Sequence, residues 1–281
     1  MDKSPMDAFV PDHLPKRGIG LLRRASGFGQ IAGRWLLDVA LPPACMACRT
    51  AVEAPGCLCA GCWSRMDFIT APLCDRLGIP LAYAADFALD GSRRAPLSAL
   101  ALADPPAYGR ARAVAAYGDV ARDLIHGLKY ADRLDLAAPL GAMMARAGVE
   151  VLEGAQALVP VPLHGLRLFR RRFNQSAALA RGVAKVSGVP VRHGLLERTR
   201  RTTPQVGLDR AARARNVAGA FRVPAAARGE VGGRSLVLVD DVLTTGATLD
   251  ACAKALLRAG AARVDVLVFA RVVDGVAAPI S

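Results

Sequence analysis

Three short stretches of the chain are apolar at nearly every position: Ala157 to Val161, Leu236 to Val239 and Val264 to Ala270. Such runs predict strands buried on both faces, as in a parallel sheet. Arg112 to Tyr117 alternates and predicts another strand, and Val191 to Leu195 is a weaker candidate. Between these runs the apolar spacing turns helical. Gly118-Asp119 opens a helix through Lys129, and Leu134 to Ala147 forms a second. Asn174 to Lys185 follows with Asn174 as N-cap, then Asp209 to Val217 and Leu249 to Arg258. Strands alternating with helices imply βαβ units, hence an α/β fold with a parallel sheet flanked by helices. No internal repeat is visible.

The rest of the chain divides around this pattern. Residues 1–40 form a basic N-terminal segment: Met1 to Pro15 is polar and expected to be disordered, and Gly18 to Ala40 has the spacing of an amphipathic helix. That helix would dock on its own protein, with a membrane-surface role as the alternative. Residues 41–80 are a cysteine module. Residues 81–110 read as an irregular linker or hood, punctuated by Asp104-Pro-Pro106. Residues 111–281 carry the α/β pattern. No apolar stretch is long enough to span a bilayer, and no export signal is clear, so the expected compartment is the cytoplasm.

Composition sharpens this picture in two respects. The 281 residues are 53% hydrophobic, enough for a substantial core. The net charge is +13, and lysine occurs only at positions 3, 16, 129, 185 and 254, so arginine supplies most of the positive charge. Arginine suits bidentate phosphate recognition, which favours a phosphorylated substrate or a polyanionic partner. A generally basic surface is the plainer alternative, and composition alone does not separate the two.

Seven cysteines are present, six of them between Cys45 and Cys74. The clearest arrangement is C-x2-C-x10-C-x2-C over Cys45, Cys48, Cys59 and Cys62. Each C-x2-C makes a tight turn that points two thiolates at one metal, and two such turns supply a closed tetrahedral zinc site. Such a site holds no water for catalysis, so the zinc would be structural. Disulfides, another metal or a lost site are the alternatives, and the lack of an export signal disfavours disulfides. Cys57 has the wrong spacing for this set, and Cys252 falls on the apolar face of a helix.

The candidate chemistry lies at Ser235-Leu-Val-Leu-Val-Asp240-Asp241-Val-Leu243-Thr244-Thr245-Gly246-Ala247-Thr248. In an open α/β sheet, ligands bind at the carboxyl ends of the strands. A Thr/Gly loop opening a helix presents free N–H groups and a positive dipole end to a phosphate. Two carboxylates beside that phosphate accept hydrogen bonds from sugar hydroxyls, or hold Mg²⁺ through water. The ligand these residues imply is a ribose 5-phosphate unit.

The same run resembles the signature of the type I phosphoribosyltransferases, which bind phosphoribosyl pyrophosphate (PRPP). Three further segments narrow the resemblance: Ile125-His-Gly-Leu-Lys129-Tyr130, Val159-Pro-Val-Pro-Leu163-His164 with Arg167 to Gln175 after it, and Thr203-Pro-Gln-Val-Gly-Leu-Asp-Arg210 with Arg213 to Phe221 after it. Together with the cysteines they are similar to the ComF family of competence proteins, over about residues 37–272. That resemblance implies a type I phosphoribosyltransferase-like sheet preceded by a four-cysteine zinc ribbon. It implies that Thr244 to Thr248 take the 5-phosphate, that Asp240 and Asp241 hold the ribose hydroxyls and steady a cationic sugar, and that Mg²⁺ accompanies PRPP. The pyrophosphate would lie near Leu163, His164 and Arg167. One departure is visible: family members often carry a further C-x2-C-G-x-P, and Leu77 replaces its second cysteine here, which puts a metal role for Cys74 in doubt.

Two function classes follow from these residues. One is a PRPP-dependent transferase of unknown acceptor, because no base-recognition element is visible. The other is a non-catalytic factor for single-stranded DNA acting with DNA-uptake proteins in natural transformation, as the family resemblance implies. Between Arg167 and Arg215 stand twelve arginines and Lys185 against only Glu197 and Asp209. Arg170, Arg171 and Arg172 are the densest part of this belt, which could track a DNA backbone or be a solvated basic face.

Overall fold

The structure is a computed structural model that describes residues 42–81, 96–130, 133–163, 173–200 and 210–273. The expected N-terminal helix, and His164, Arg167, Arg170, Arg171 and Arg172, lie outside the described residues. The strands are β1 (Ala111–Ala116), β2 (Ala157–Pro160), β3 (Glu197–Arg198), β4 (Phe221–Arg222), β5 (Ser235–Leu243) and β6 (Arg263–Arg271). Four of them form a parallel sheet in the order β1-β6-β5-β2, while β3 and β4 pair as a separate antiparallel ribbon. The helices are α1 (Ala60–Ser64), α2 (Ala99–Ala103), α3 (Asp119–Tyr130), α4 (Ala137–Ala147), α5 (Val149–Leu152), α6 (Gln175–Ser187), α7 (Arg210–Val217), α8 (Arg228–Val231) and α9 (Ala247–Arg258).

Side chains alternate along each strand, so the sheet divides two cores. Val237 and Val239 of β5, with Leu267 and Phe269 of β6, join Leu124 and Leu128 of α3, Met144 of α4 and Leu179 of α6 on one face. Leu236 and Leu238, with Val264 and Val266, meet Leu249, Cys252 and Leu256 of α9 on the other. Helices α4 and α6 touch at glycines. A Cβ on Gly141 would lie 2.5 Å from the Gly182 Cα, so nothing larger fits that crossing. The crossing holds α6 against the sheet with its first turn at the end of β5.

Two expectations are corrected. Val191 to Leu195 is not a strand: Val191 makes one parallel bridge to Leu158, and Gly194, at φ 82°, turns the chain away. The linker 81–110 is not wholly irregular, because Ser98 caps the short α2 by accepting from the Ala101 N–H. Strand β5 also runs past both acids to Leu243, since β6 stays paired beside it from Asp240 to Leu243 and satisfies the backbone.

The cysteine module is stapled to this framework. Phe68 bridges Ala115 antiparallel at the β1 edge, the Ala116 N–H donates to Asp67 O at 2.8 Å, and the Ile69 N–H donates to Val114 O at 3.0 Å. Cys45, Met46, Cys62 and Met66 share one core with Val120, Leu124 and Ile125 of α3. Arg133 Nη1 donates to Met46 O at 2.6 Å.

Candidate functional site

Alternation at the end of β5 sends its two acids to different faces. Asp240 follows the register of Leu236 and Leu238, and Asp241 that of Val237 and Val239. Ser176 Oγ, in the first turn of α6, donates to Asp240 Oδ1 at 2.8 Å, and the Asp241 N–H donates to the same oxygen at 2.9 Å. Desolvation, with the charge of Asp241 second, pushes the Asp240 carboxyl up to about 7, against the pull of those two donors. Asp241 is 8% exposed and pairs with Lys129 Nζ of α3 at 3.0 Å.

The chain leaves β5 through Thr244, Thr245 and Gly246 and enters α9 at Ala247. Gly246 caps that helix in the left-handed region at φ 82°, where a side chain is strained. The cap opens α9 toward the strand ends, where its N–H groups and dipole favour an anion. The Thr245 Oγ1 is buried with no hydrogen-bond partner among the described residues. An unsatisfied hydroxyl in an N–H-rich turn suits a phosphate oxygen. Asp250 in the first turn faces elsewhere: it accepts from the Ala107 N–H at 2.7 Å and pairs with Lys254 at 2.7 Å.

Asp240, Asp241, Ser176, Lys129, Thr244 and Gly246 border one cleft of about 220 Å³ that also takes in Leu163, Gln175 and Arg198, whereas Thr245 and Ala247 do not line it. The cleft thus gathers Asp240, Asp241, Leu243, Thr244, Gly246, Thr248 and Leu163. Lys129, Ser176 and Arg198 were not anticipated as site residues. Lys129 stands in the Ile125 to Tyr130 segment that carries the family resemblance, but nothing local gives it a role at this site. Ser176 and Arg198 carry no local signal, since each arrives through tertiary packing. Arg198 lies over the Phe221 ring at 5.3 Å, which fixes it on the β3–β4 ribbon.

The metal-type cluster stands apart. One sulfur each from Cys45, Cys48, Cys59 and Cys62 lies within 4.8 Å of the others, and Cys48 and Cys59 approach to 3.6 Å. The Cys59 N–H donates to Cys45 Sγ at 3.3 Å. Four thiols so close do not all ionise without a metal. The Thr50 hydroxyl and amide bring Cys48 down to about 6, whereas burial and then the Cys48 sulfur push Cys62 up to about 12. A divalent, thiophilic, tetrahedral ion resolves that conflict, so the four residues fit zinc. Cys57 is exposed, and its carbonyl accepts from the Met46 N–H. Cys252 is fully buried, and burial raises its thiol, consistent with a core residue.

Cys74 sits in a second turn of similar shape but without companions. Its sulfur receives the Ser98 N–H and Oγ, both at 3.3 Å, and the Leu77 N–H at 3.5 Å. Leu77 is 6% exposed and packs with Cys74 and Ala101. No other cysteine or histidine stands between Cys62 and His126. The residues here do not fit a second zinc.

Comparison with known proteins agrees with this geometry. Residues 36–91 match a double zinc ribbon domain, and residues 144–279 match a phosphoribosyl transferase domain. The protein is therefore of the zinc-ribbon, phosphoribosyltransferase-domain class. DNA utilization protein YhgH of Escherichia coli (strain K12) is 32% identical over 235 residues, 80% of this chain and 96% of that protein. YhgH of Salmonella typhimurium (strain LT2) is 34% identical over 234 residues, with the same shares covered. Competence protein F of Haemophilus influenzae (strain Rd) is 27% identical over 233 residues, 81% of this chain and 96% of that protein. The chain belongs to the ComF family, with YhgH and competence protein F as relatives. Among the described residues no helix is long and apolar enough to cross a membrane.

Two predictions follow from these two centres. Purified protein should carry about one tightly held zinc per chain. Cys59→Ser should lose it and lower the melting temperature, while Cys252→Ser keeps it; elemental analysis finding two zinc ions, or none, would refute the assignment. For Asp240, the folded value near 7 exceeds the unfolded value near 4. The folded state thus holds a proton that the unfolded chain releases, and stability falls as pH rises from about 4 to about 7, then levels off. Asp240→Asn should flatten that part of the melting-temperature profile relative to the parent. Identical profiles for parent and variant would mean that Asp240 is already ionised throughout.

Proposed function

We propose that this chain is a ComF-type factor whose cleft binds PRPP or ribose 5-phosphate and which contributes to the handling of incoming DNA in natural transformation. The observation that carries the ligand reading is the pair Asp240 and Asp241 at the end of a buried strand, directly before a left-handed glycine cap that opens α9. Thr244, Thr245, Gly246, Ala247 and Thr248 would take the 5-phosphate through backbone N–H groups and hydroxyls. Asp241 and Asp240 would accept the ribose hydroxyls. Leu163, with His164 and Arg167 after it, would border the pyrophosphate, and Mg²⁺ would enter with PRPP. If the site turns over, departure of pyrophosphate leaves positive charge on the sugar, which the two carboxylates stabilise. The names of the relatives, DNA utilization protein and competence protein, support the DNA half of the reading.

Calorimetry should detect both PRPP and ribose 5-phosphate, with Mg²⁺ strengthening PRPP. Asp241→Asn should weaken both. Gly246→Val should abolish phosphate binding, because a β-branched residue at positive φ costs about 1–2 kcal/mol and distorts the loop. Absence of binding by either ligand at millimolar concentration would overturn the site. Release of pyrophosphate from PRPP, with and without a panel of nucleobases, separates a working transferase from a binding protein.

A second reading, direct binding of single-stranded DNA, rests on the arginine belt containing Arg170, Arg171 and Arg172. Affinity should be modest, indifferent to sequence and steeply salt-dependent. Replacing all three arginines by alanine should reduce the salt slope by up to about three contacts' worth in fluorescence anisotropy. Unchanged binding at every salt concentration would reassign the belt to a solvated surface.

A further inference from the structure

We infer that Lys129 is the cation by which this cleft distinguishes a ribose 5-phosphate bearing an anionic group at C1 from one that bears none. The inference rests on the ligand reading above and assigns a residue outside its phosphate loop and acid pair. Lys129 closes the last turn of α3, ahead of the segment matched to the phosphoribosyl transferase domain at 144–279. Its ammonium reaches Asp241 Oδ2 at 3.0 Å and borders the cleft, with 22% of the side chain exposed.

The two faces of the sheet place Lys129 relative to the ligand. Helix α9, whose start would hold the 5-phosphate, packs with Leu236 and Leu238. Helix α3 packs with Val237 and Val239, on the opposite face. The phosphate loop and Lys129 therefore enter the cleft from opposite sides of β5. A ribose anchored by its 5-phosphate at α9 and by its hydroxyls at the acids directs C1 away from α9. A group leaving C1 in that direction meets the α3 side, where Lys129 stands. Lys129 and Arg198 both line the cleft, so two cations stand beside the acid pair. A C1 pyrophosphate brings negative charge within reach of the Lys129 ammonium, and a C1 hydroxyl does not.

The test compares PRPP with ribose 5-phosphate by calorimetry on the parent, Lys129→Met and Lys129→Arg, with zinc content and melting temperature as checks of folding. Lys129→Met should lose about tenfold or more in PRPP affinity, as expected for a partly buried charge-assisted contact, while ribose 5-phosphate changes less than about threefold. Lys129→Arg should retain most of the preference. Equal weakening of both ligands would overturn the inference and leave Lys129 as a prop for Asp241; so would no change in either. Failure of the parent to bind either ligand would overturn the ligand reading itself, together with this inference. If Lys129→Met does not fold with Asp241 uncompensated, Lys129→Met/Asp241→Asn is compared with Asp241→Asn alone, and the same selective loss of PRPP is expected.

Discussion

Two carboxylates on consecutive residues at the end of a strand buried on both faces set the electrostatic problem that the rest of this site answers. Like charges that close, in a poorly solvated place, do not both ionise cheaply. Alternation relieves part of the load by sending the side chains to opposite faces. Each is then met by a different element. Ser176 and a backbone amide address Asp240, and Lys129 addresses Asp241. Burial lets one acid keep its proton up to about pH 7, and a cation pairs with the other. Both arrangements keep acceptor oxygens in the cleft without a net charge of two.

That answer reaches beyond the site to the cysteine module. Helix α3 lies between the ribbon and the sheet, sharing a core with Cys45, Cys62 and Met66 on one side and with strand residues on the other. The position of Lys129 therefore depends on a helix that the ribbon braces. A structural zinc, holding four thiols that would otherwise take different protonation states, fixes the ribbon's shape and so the helix packed on it. The ribbon is joined to the sheet edge by backbone hydrogen bonds at Asp67 and Ile69. It reads better as a wall of the α/β fold than as an appended module.

Much of this was legible in the sequence, for identifiable reasons. β-branched runs at 236–239 and 264–270 place central strands because little else buries such residues. The C-x2-C pairs place the metal cluster because the turn geometry is local. The Asp-Asp and Thr-Thr-Gly-Ala-Thr run places the loop because a left-handed cap at Gly246 is a backbone property. Lys129, Ser176 and Arg198 were illegible as site residues because they reach the cleft only through packing. Lys129 needs the α3 crossing over β5, and Ser176 needs the glycine contact of α4 with α6. The false strand at 191–195 has a similar cause: one bridge at Val191 is all that β2 supports before Gly194 turns the chain.

The turn around Cys74 holds a single cysteine sulfur and is fixed without a metal-type cluster among the described residues. Burial pushes its thiol up, but the Ser98 hydroxyl and N–H and the Leu77 N–H, all directed at the sulfur, together bring it below the usual thiol value. Three residues on, Leu77 is buried and packs with Cys74 and Ala101, and this burial contributes cohesion to the turn. The backbone is tied down from outside: Arg271 donates to the Leu77 carbonyl, and Asp75 pairs with Arg110 and Arg112 at 3.1 Å. Arg112 is itself 5% exposed and also pairs with Glu150. A buried guanidinium is costly to leave half-paired, and loss of the Asp75 carboxylate would leave it the largely exposed Glu150 as its carboxylate partner among the described residues. The turn around Cys74 is thus tied to the sheet by the Asp75 ion pairs at and just before β1 and by the Arg271 hydrogen bond from β6, as the first half of the module is tied through α3.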